Sequence, residues 1–219
     1  MPGKNWRMLE GLPLYAHSIK HAKDSGLFDR VVISSDAPEV LENAVSFGAD
    51  LAINRPADLA SDTAGKVPAI AHAVRASEDH FGERYEVCVD LDATSPLRLP
   101  EDVIGSVALL EATDAASVIT GAEAHRSPYF NLVEEDSNGH VSVSKKLPST
   151  VLRRQDAPRA FDMNASVYVW RRESLLNEQK VFFETTRIFE MPSDRSFDID
   201  SELDFKIVQF LFSLRKQNV

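Results

Sequence analysis

Apolar and polar positions alternate along this chain in two rhythms. Leu14, Tyr15, Ile19 and Ala22 recur at helical spacing, predicting a helix over 13–23 that Pro13 starts and Gly26 ends. Val31, Val32 and Ile33 follow as a short β-branched strand. Asp36, Ala37, Pro38 and Glu39 predict the next helix start, with Asp36 as N-cap and Pro38 in the first turn. That helix runs to Phe47 and stops at Gly48. Residues 50–53 make another strand, 67–76 a helix, 85–91 a strand apolar enough for a sheet centre, 101–110 a helix and 116–120 a strand.

Such alternation predicts an α/β fold of three layers, Rossmann-like, around a mostly parallel sheet. The pattern then changes. Residues 132–144 predict a hairpin around Asn138-Gly139, 167–170 a strand and 201–216 a closing helix. With no repeat or linker, one domain over 1–219 with a hairpin-bearing insertion is expected. Ligands of such sheets gather beyond the carboxyl ends of the strands, here 34–36, 92–98 and the stretch after Phe161.

Composition narrows the function. Of 219 residues, 43% are hydrophobic and 26% charged, ordinary for a globular chain. No apolar run reaches the roughly 18 residues that a membrane-spanning helix needs, and the opening residues lack the apolar core of a secretory signal. The one cysteine, Cys88, rules out an internal disulfide and fits a reducing cytoplasm; its apolar surroundings predict a buried structural thiol. A net charge of -10 without a basic cluster argues against nucleic acid as a partner. An acidic protein still binds an anionic nucleotide if a few bases are placed locally and a metal bridges the rest.

Four segments carry candidate chemistry. In Asp198-Ile199-Asp200 an extended backbone sends both carboxylates to one face, roughly 6.5–7 Å apart, where they can hold Mg²⁺ against a triphosphate. The alternative is that Asp200 or Ser201 only caps the last helix. Lys4 and Asn5 offer a point charge for phosphate and an amide for a base edge, or else form a solvated terminus. Asp92, Thr94 and Ser95 follow the apolar strand and either meet a ligand or form a turn before Pro96. Arg153 and Arg154 can hold a carboxylate bidentately, or are charged surface.

In order and spacing these segments resemble the acylneuraminate cytidylyltransferases, the CMP-sialic acid synthetase family. That family reads Pro-X-Lys-Asn, Ser-(Thr/Ser)-Asp, Arg-Pro-X-X-Leu-Ala-X-Asp, Gln-Pro-Thr-Ser-Pro-Leu-Arg, Arg-X-Gln-X-X-Pro, Asn-Gly-Ala-X-Tyr and Asp-Ile-Asp-X-X-X-Asp-Phe. The counterparts here are 1–5, 34–36, 55–62, 92–98, 154–158, 164–168 and 198–205. The resemblance implies a nucleotidyltransferase fold in which a sugar's anomeric hydroxyl attacks the α-phosphorus of CTP. It implies Mg²⁺ on Asp198 and Asp200, phosphate on Lys4, and cytidine recognition by Asn5 and Arg55, with Ser35 and Asp62 on the nucleotide side. Arg154 would take the carboxylate of a nonulosonic acid, with Asp92, Thr94, Ser95, Gln155 and Asn164 nearby. Phe182 and Phe183 match an aromatic pair that a partner subunit presents, and residues 125–185 an insertion used to form a homodimer. Nearer rivals are a 3-deoxy-manno-octulosonate or other sugar nucleotidyltransferase, and a nucleotide-binding pseudoenzyme.

Three departures qualify the match. Asp92-Ala93 replaces Gln-Pro, where the family's Gln faces the sugar, and points to a legionaminate- or pseudaminate-like diamino sugar. Ala165 stands where the family has Gly, so the backbone there is expected to differ. Family members also carry a strand and a phosphate-cradling loop before the Lys-Asn motif. Met1 falls within that motif, which predicts that the natural polypeptide starts upstream.

Overall fold

The computed structural model describes residues 3–61, 64–148 and 153–217. Its first half runs β1 (Met8–Leu9), β2 (Leu12–Pro13), α1 (Leu14–Ser25), β3 (Val32–Ser35), α2 (Pro38–Asn43), β4 (Leu51–Asn54), α3 (Lys66–Phe81) and β5 (Val87–Leu91). The second half runs α4 (Pro100–Glu111), β6 (Ser117–Glu123), β7 (Val133–Glu135), β8 (Val141–Val143), β9 (Phe161–Arg171), α5 (Arg172–Glu178), β10 (Arg187–Glu190) and α6 (Glu202–Gln217).

The main sheet has the order β10-β6-β9-β5. β10 runs parallel to β6, and β9 runs antiparallel to both β6 and β5, so three of its four strands share one direction. The two-residue period of β9 explains the three layers. Val167 and Val169 face Val103, Val107 and Leu110 of α4, whereas Tyr168 and Trp170 face α3 and α5 through Val67, Ala71 and Leu175. Trp170 is buried, stacks on Tyr168 at 5.5 Å, and donates its indole N–H to the Lys180 carbonyl at 3.1 Å. Cys88 is buried in the same layer; burial pushes its thiol up to about 12, which leaves it inert as a nucleophile.

Local signals account for most boundaries. α1 buries the expected Tyr15, Ile19 and Ala22 and stops at Gly26, whose φ of 67° needs a glycine. The Asn138-Gly139 hairpin forms as β7–β8, with Gly139 at φ 81° and the Asp136 carboxylate accepting the N–H groups of Asn138 and His140. The N-cap expectation at Asp36 is corrected. Ala37 is the cap residue, and the Ser35 hydroxyl takes the Ala37 N–H at 3.1 Å instead. β9 also begins six residues before its apolar stretch. Its polar first half pairs with the end of β6, so ladder hydrogen bonds extend the strand where hydrophobicity does not. Within 125–185, β9 therefore belongs to the main sheet, while β7–β8 carries Val133 and Val141 exposed.

β3 and β4 form a separate parallel pair. Among the described residues β3 has no strand on its other edge and β5 pairs only with β9. Between those two edges opens a cavity of about 570 Å³, floored by α1 and α3. Residues 32–35 line one wall and 89–93 the other.

At the residue before Ser166 the expected departure from a glycine-like backbone is corrected. Ala165 has φ 52°, beside the register shift between Ile119 and Gly121. For an L-residue this region costs about 1–2 kcal/mol, whereas glycine adds only unfolded-state entropy. Ala165→Gly is expected to stabilise the fold by roughly 0.5–1 kcal/mol net, measured by urea denaturation.

Candidate active site

The cavity is polar at the carboxyl ends of β3 and β5, where ligands of α/β sheets bind. Lys4, Asn5, Ser35, Arg55, Asp92, Thr94 and Asp198 all line it, so seven of the expected residues meet there from segments far apart in the chain.

Asp198 and Asp200 owe their placement to Ile199. That residue is fully buried with Leu9, Leu14, Leu97 and Phe205, and the aspartates on either side of it remain available. The Ile199 N–H donates to the Thr94 carbonyl at 3.0 Å, which ties the segment to the end of β5. Capping of α6 does not use either aspartate side chain. Ser201 Oγ accepts the Asp204 N–H at 3.2 Å, and Asp204 Oδ2 accepts the Ser201 N–H at 2.7 Å, a reciprocal capping box. Asp198 Oδ1 is buried without a hydrogen-bond partner. Burial raises its carboxyl above the usual range, and the charges of Asp92 and Asp200 add to that, while Thr94 and Lys4 oppose it. Asp200 is exposed and accepts from Lys4 Nζ at 2.9 Å. Lys4 also donates to the Ile199 carbonyl at 3.3 Å, and it starts a one-turn helix after Gly3, which sits at φ 68°.

Asp92 is held from both sides. Its Oδ1 accepts the N–H and hydroxyl of Thr94 at 3.0 and 2.8 Å, and its Oδ2 lies 2.8 Å from Lys66 Nζ. Burial alone would push this carboxyl up, but Lys66 and the Thr94 donors outweigh it and hold it down at about 2. Lys66 pairs also with Asp90 at 2.9 Å and lies 4.3 Å from the Tyr168 ring centre.

Other expected residues have different surroundings. Arg55 spends one edge on Ser34, bonding its hydroxyl at 3.2 Å and its carbonyl at 2.6 Å. Ser95 and Asn164 are buried behind the cavity wall rather than lining it. The Asn164 amide is committed internally: Oδ1 to Thr120 and the Ser166 N–H, Nδ2 to Ser196 and the Met191 sulfur. Gln155 lines a second cavity of about 330 Å³ with Arg126 and Arg159. Phe182 is exposed, whereas Phe183 is half-buried against the Trp170 layer. Asp62 and the Arg154 side chain lie outside the described residues.

Lys66 and Asp90 are site neighbours that the motif reading missed, and Tyr168 stood in the 164–168 motif without a role assigned to it. A cation in the first turn of α3 opposes the helix dipole, and that mismatch was the available signal of a carboxylate partner. Among the described residues no group of three or more His, Cys, Asp or Glu side chains is gathered for a metal. An all-oxygen pair with one unsatisfied buried oxygen suits a hard cation that takes its remaining ligands from phosphate and water. Among the described residues no helix is long and apolar enough to cross a membrane.

Residues 1–215 match a family model described as Cytidylyltransferase. The chain is 42% identical over 208 residues to post-translational flagellin modification protein B of Campylobacter coli, covering 95% of this chain and 87% of that one. It is also 42% identical over 212 residues to CMP-N,N'-diacetyllegionaminic acid synthase of Campylobacter jejuni, covering 97% and 89%. Among solved structures, a CMP:2-keto-3-deoxy-manno-octonic acid synthetase complexed with CTP superposes with a TM-score of 0.69 at 16% identity, over 98% of this chain and 93% of that one, a likeness of fold.

Because the folded Asp92 carboxyl titrates near 2 against an ordinary 3.8, it stabilises the fold above about pH 4 and loses that contribution as pH falls toward 2. Asp92→Asn lacks the contribution at every pH. Urea denaturation is expected to show a gap between wild type and variant at pH 5–7, closing as the pH drops through about 4 to 2.

Proposed function

From the premise that this chain belongs to the cytidylyltransferase family, we propose that it transfers CMP from CTP to the anomeric hydroxyl of a nonulosonic acid and releases pyrophosphate. The observation that carries this reading is Asp198, which lines the same cavity as Lys4 and Asn5 and has a buried Oδ1 without a hydrogen-bond partner. The sugar oxygen bonds to the α-phosphorus, the bond from that phosphorus to the bridging oxygen breaks, and the hydroxyl proton leaves to solvent. Such transfer depends on positioning and charge neutralisation more than on covalent help from the protein.

Asp198 and Asp200 would hold Mg²⁺, which when bound neutralises charge on the triphosphate. Lys4 is placed to exchange its bond with Asp200 for a phosphate oxygen. Asn5, Arg55 and Ser35 line the nucleotide side, and Asp92 and Thr94 the sugar side. Asn164 and Ser95 position the wall behind the sugar through their internal bonds. A diamino sugar such as N,N'-diacetyllegionaminic acid is the favoured acceptor, supported by the 42% identical relative of that name and by Asp92. A homodimer built on the β7–β8 region is supported by exposed Phe130, Leu132, Val133, Val141 and Phe182. Cytoplasm, where CTP is made, is the proposed location.

The test is pyrophosphate release with CTP, Mg²⁺ and a panel of N,N'-diacetyllegionaminic, pseudaminic, N-acetylneuraminic and 3-deoxy-manno-octulosonic acids. Release with a nonulosonic acid, reduced about 10²-fold or more in Asp198→Ala, is expected. Release with the octulosonic acid alone would reassign the substrate. Magnesium-dependent CTP binding without release would mark a pseudoenzyme.

A further inference from the structure

Asp90 lies near the end of β5 and Asp92 directly after it, and a two-residue step along extended chain puts both on one side. Both line the same cavity. Two uncompensated carboxylates there would repel a sugar acid and a triphosphate alike. Lys66 resolves this. From the first position of α3 its ammonium reaches Asp90 at 2.9 Å and Asp92 at 2.8 Å, above the Tyr168 ring.

The placement has no rationale in helix formation, since a cation at a helix N-terminus is disfavoured by the dipole. Held between two carboxylates and an aromatic face, Lys66 is occupied by them rather than extended toward a ligand. Its effect is exerted through Asp92. That carboxylate stays ionised and accepts from Thr94 on Oδ1 and from Lys66 on Oδ2. A carboxylate takes about four hydrogen bonds, so acceptor capacity remains for a hydroxyl or acylamino N–H of the sugar.

We infer that Lys66 is a positioning residue for acceptor specificity: it neutralises and orients Asp92 so that an anionic diamino sugar acid can dock on that carboxylate. The inference rests on the proposed transfer of CMP to a nonulosonic acid.

A double-mutant cycle tests it. Wild type, Lys66→Met, Asp92→Asn and the double variant are compared for pyrophosphate release, varying N,N'-diacetyllegionaminic acid and CTP in turn. Lys66→Met should raise KM for the sugar acid by about tenfold or more while KM for CTP moves by less than about threefold. Lys66→Arg should restore most of the loss. In the Asp92→Asn background, where only Asp90 still pairs with Lys66, Lys66→Met should cost less than about threefold. Melting curves exclude unfolded variants. An unchanged sugar KM in Lys66→Met, or losses that simply add in the double variant, would overturn the inference while leaving the reaction intact. If the wild type releases no pyrophosphate with any acid, the reaction reading fails. Calorimetric titration of N,N'-diacetyllegionaminic acid then decides: equal heats for wild type and Lys66→Met overturn the inference, and weaker binding by Lys66→Met alone upholds it.

Discussion

One buried guanidinium ties the cleft to the sheet. Arg98 has no solvent exposure, and burial draws it down only to about 10, so it remains charged at neutral pH. It donates to the Asp92 carbonyl at 2.6 Å, to the Ser166 carbonyl at 2.7 Å and to the Ser18 hydroxyl. Those three acceptors belong to the end of β5, to β9 and to α1. A buried charge is costly unless it is hydrogen-bonded, so both terminal nitrogens of Arg98 hold these segments in the arrangement that supplies their acceptors.

The cleft inherits its geometry from that arrangement. Fixing the Asp92 backbone fixes the turn in which its own carboxylate accepts from Thr94. The Thr94 carbonyl then receives the Ile199 N–H, and Ile199 in the core leaves Asp198 facing the cavity. Charge is balanced along the same path: Lys66 answers Asp90 and Asp92, and Lys4 answers Asp200. Among the described residues, Asp198 Oδ1 and Asp90 Oδ2 are buried carboxylate oxygens without a hydrogen-bond partner, and of these only the Asp90 oxygen has a cation against it, Lys66 at 2.9 Å. Leaving such a group unsatisfied costs stability, and at Asp198 the group lies in the wall of the cavity.

Much of this was legible in the sequence wherever the deciding interactions are local. The α1 stripe with Gly26, the Asn138-Gly139 turn and the alternation of strands and helices all rest on contacts within a few residues. Asp198, Asp200, Lys4 and Asn5 came from motif order, since spacing alone left capping of α6 open. What was missed depends on long-range pairing. Lys66 meets Asp92 across 26 residues, and nothing in its own segment names that partner. Arg98 stood inside a recognised motif, yet its complete burial depends on segments up to 80 residues away. Asn164 came from the family motif as a neighbour of the sugar, and the fold commits its amide to Thr120, Ser166 and Ser196. Ala37 displaced Asp36 as the cap residue because β3 runs two residues further than β-branching suggests, to Ser35, whose hydroxyl takes the Ala37 N–H.

The central claim is that the free carboxylate oxygen of Asp198 anchors a divalent cation together with the nucleotide's phosphates. Its most direct test is Mn²⁺ titration followed by electron paramagnetic resonance, with and without CTP, in wild type and Asp198→Asn. Nucleotide-dependent Mn²⁺ binding in the wild type, weakened about tenfold or more in Asp198→Asn while the melting temperature holds, is the predicted result. Equal Mn²⁺ binding by the two proteins in the presence of CTP would contradict the account.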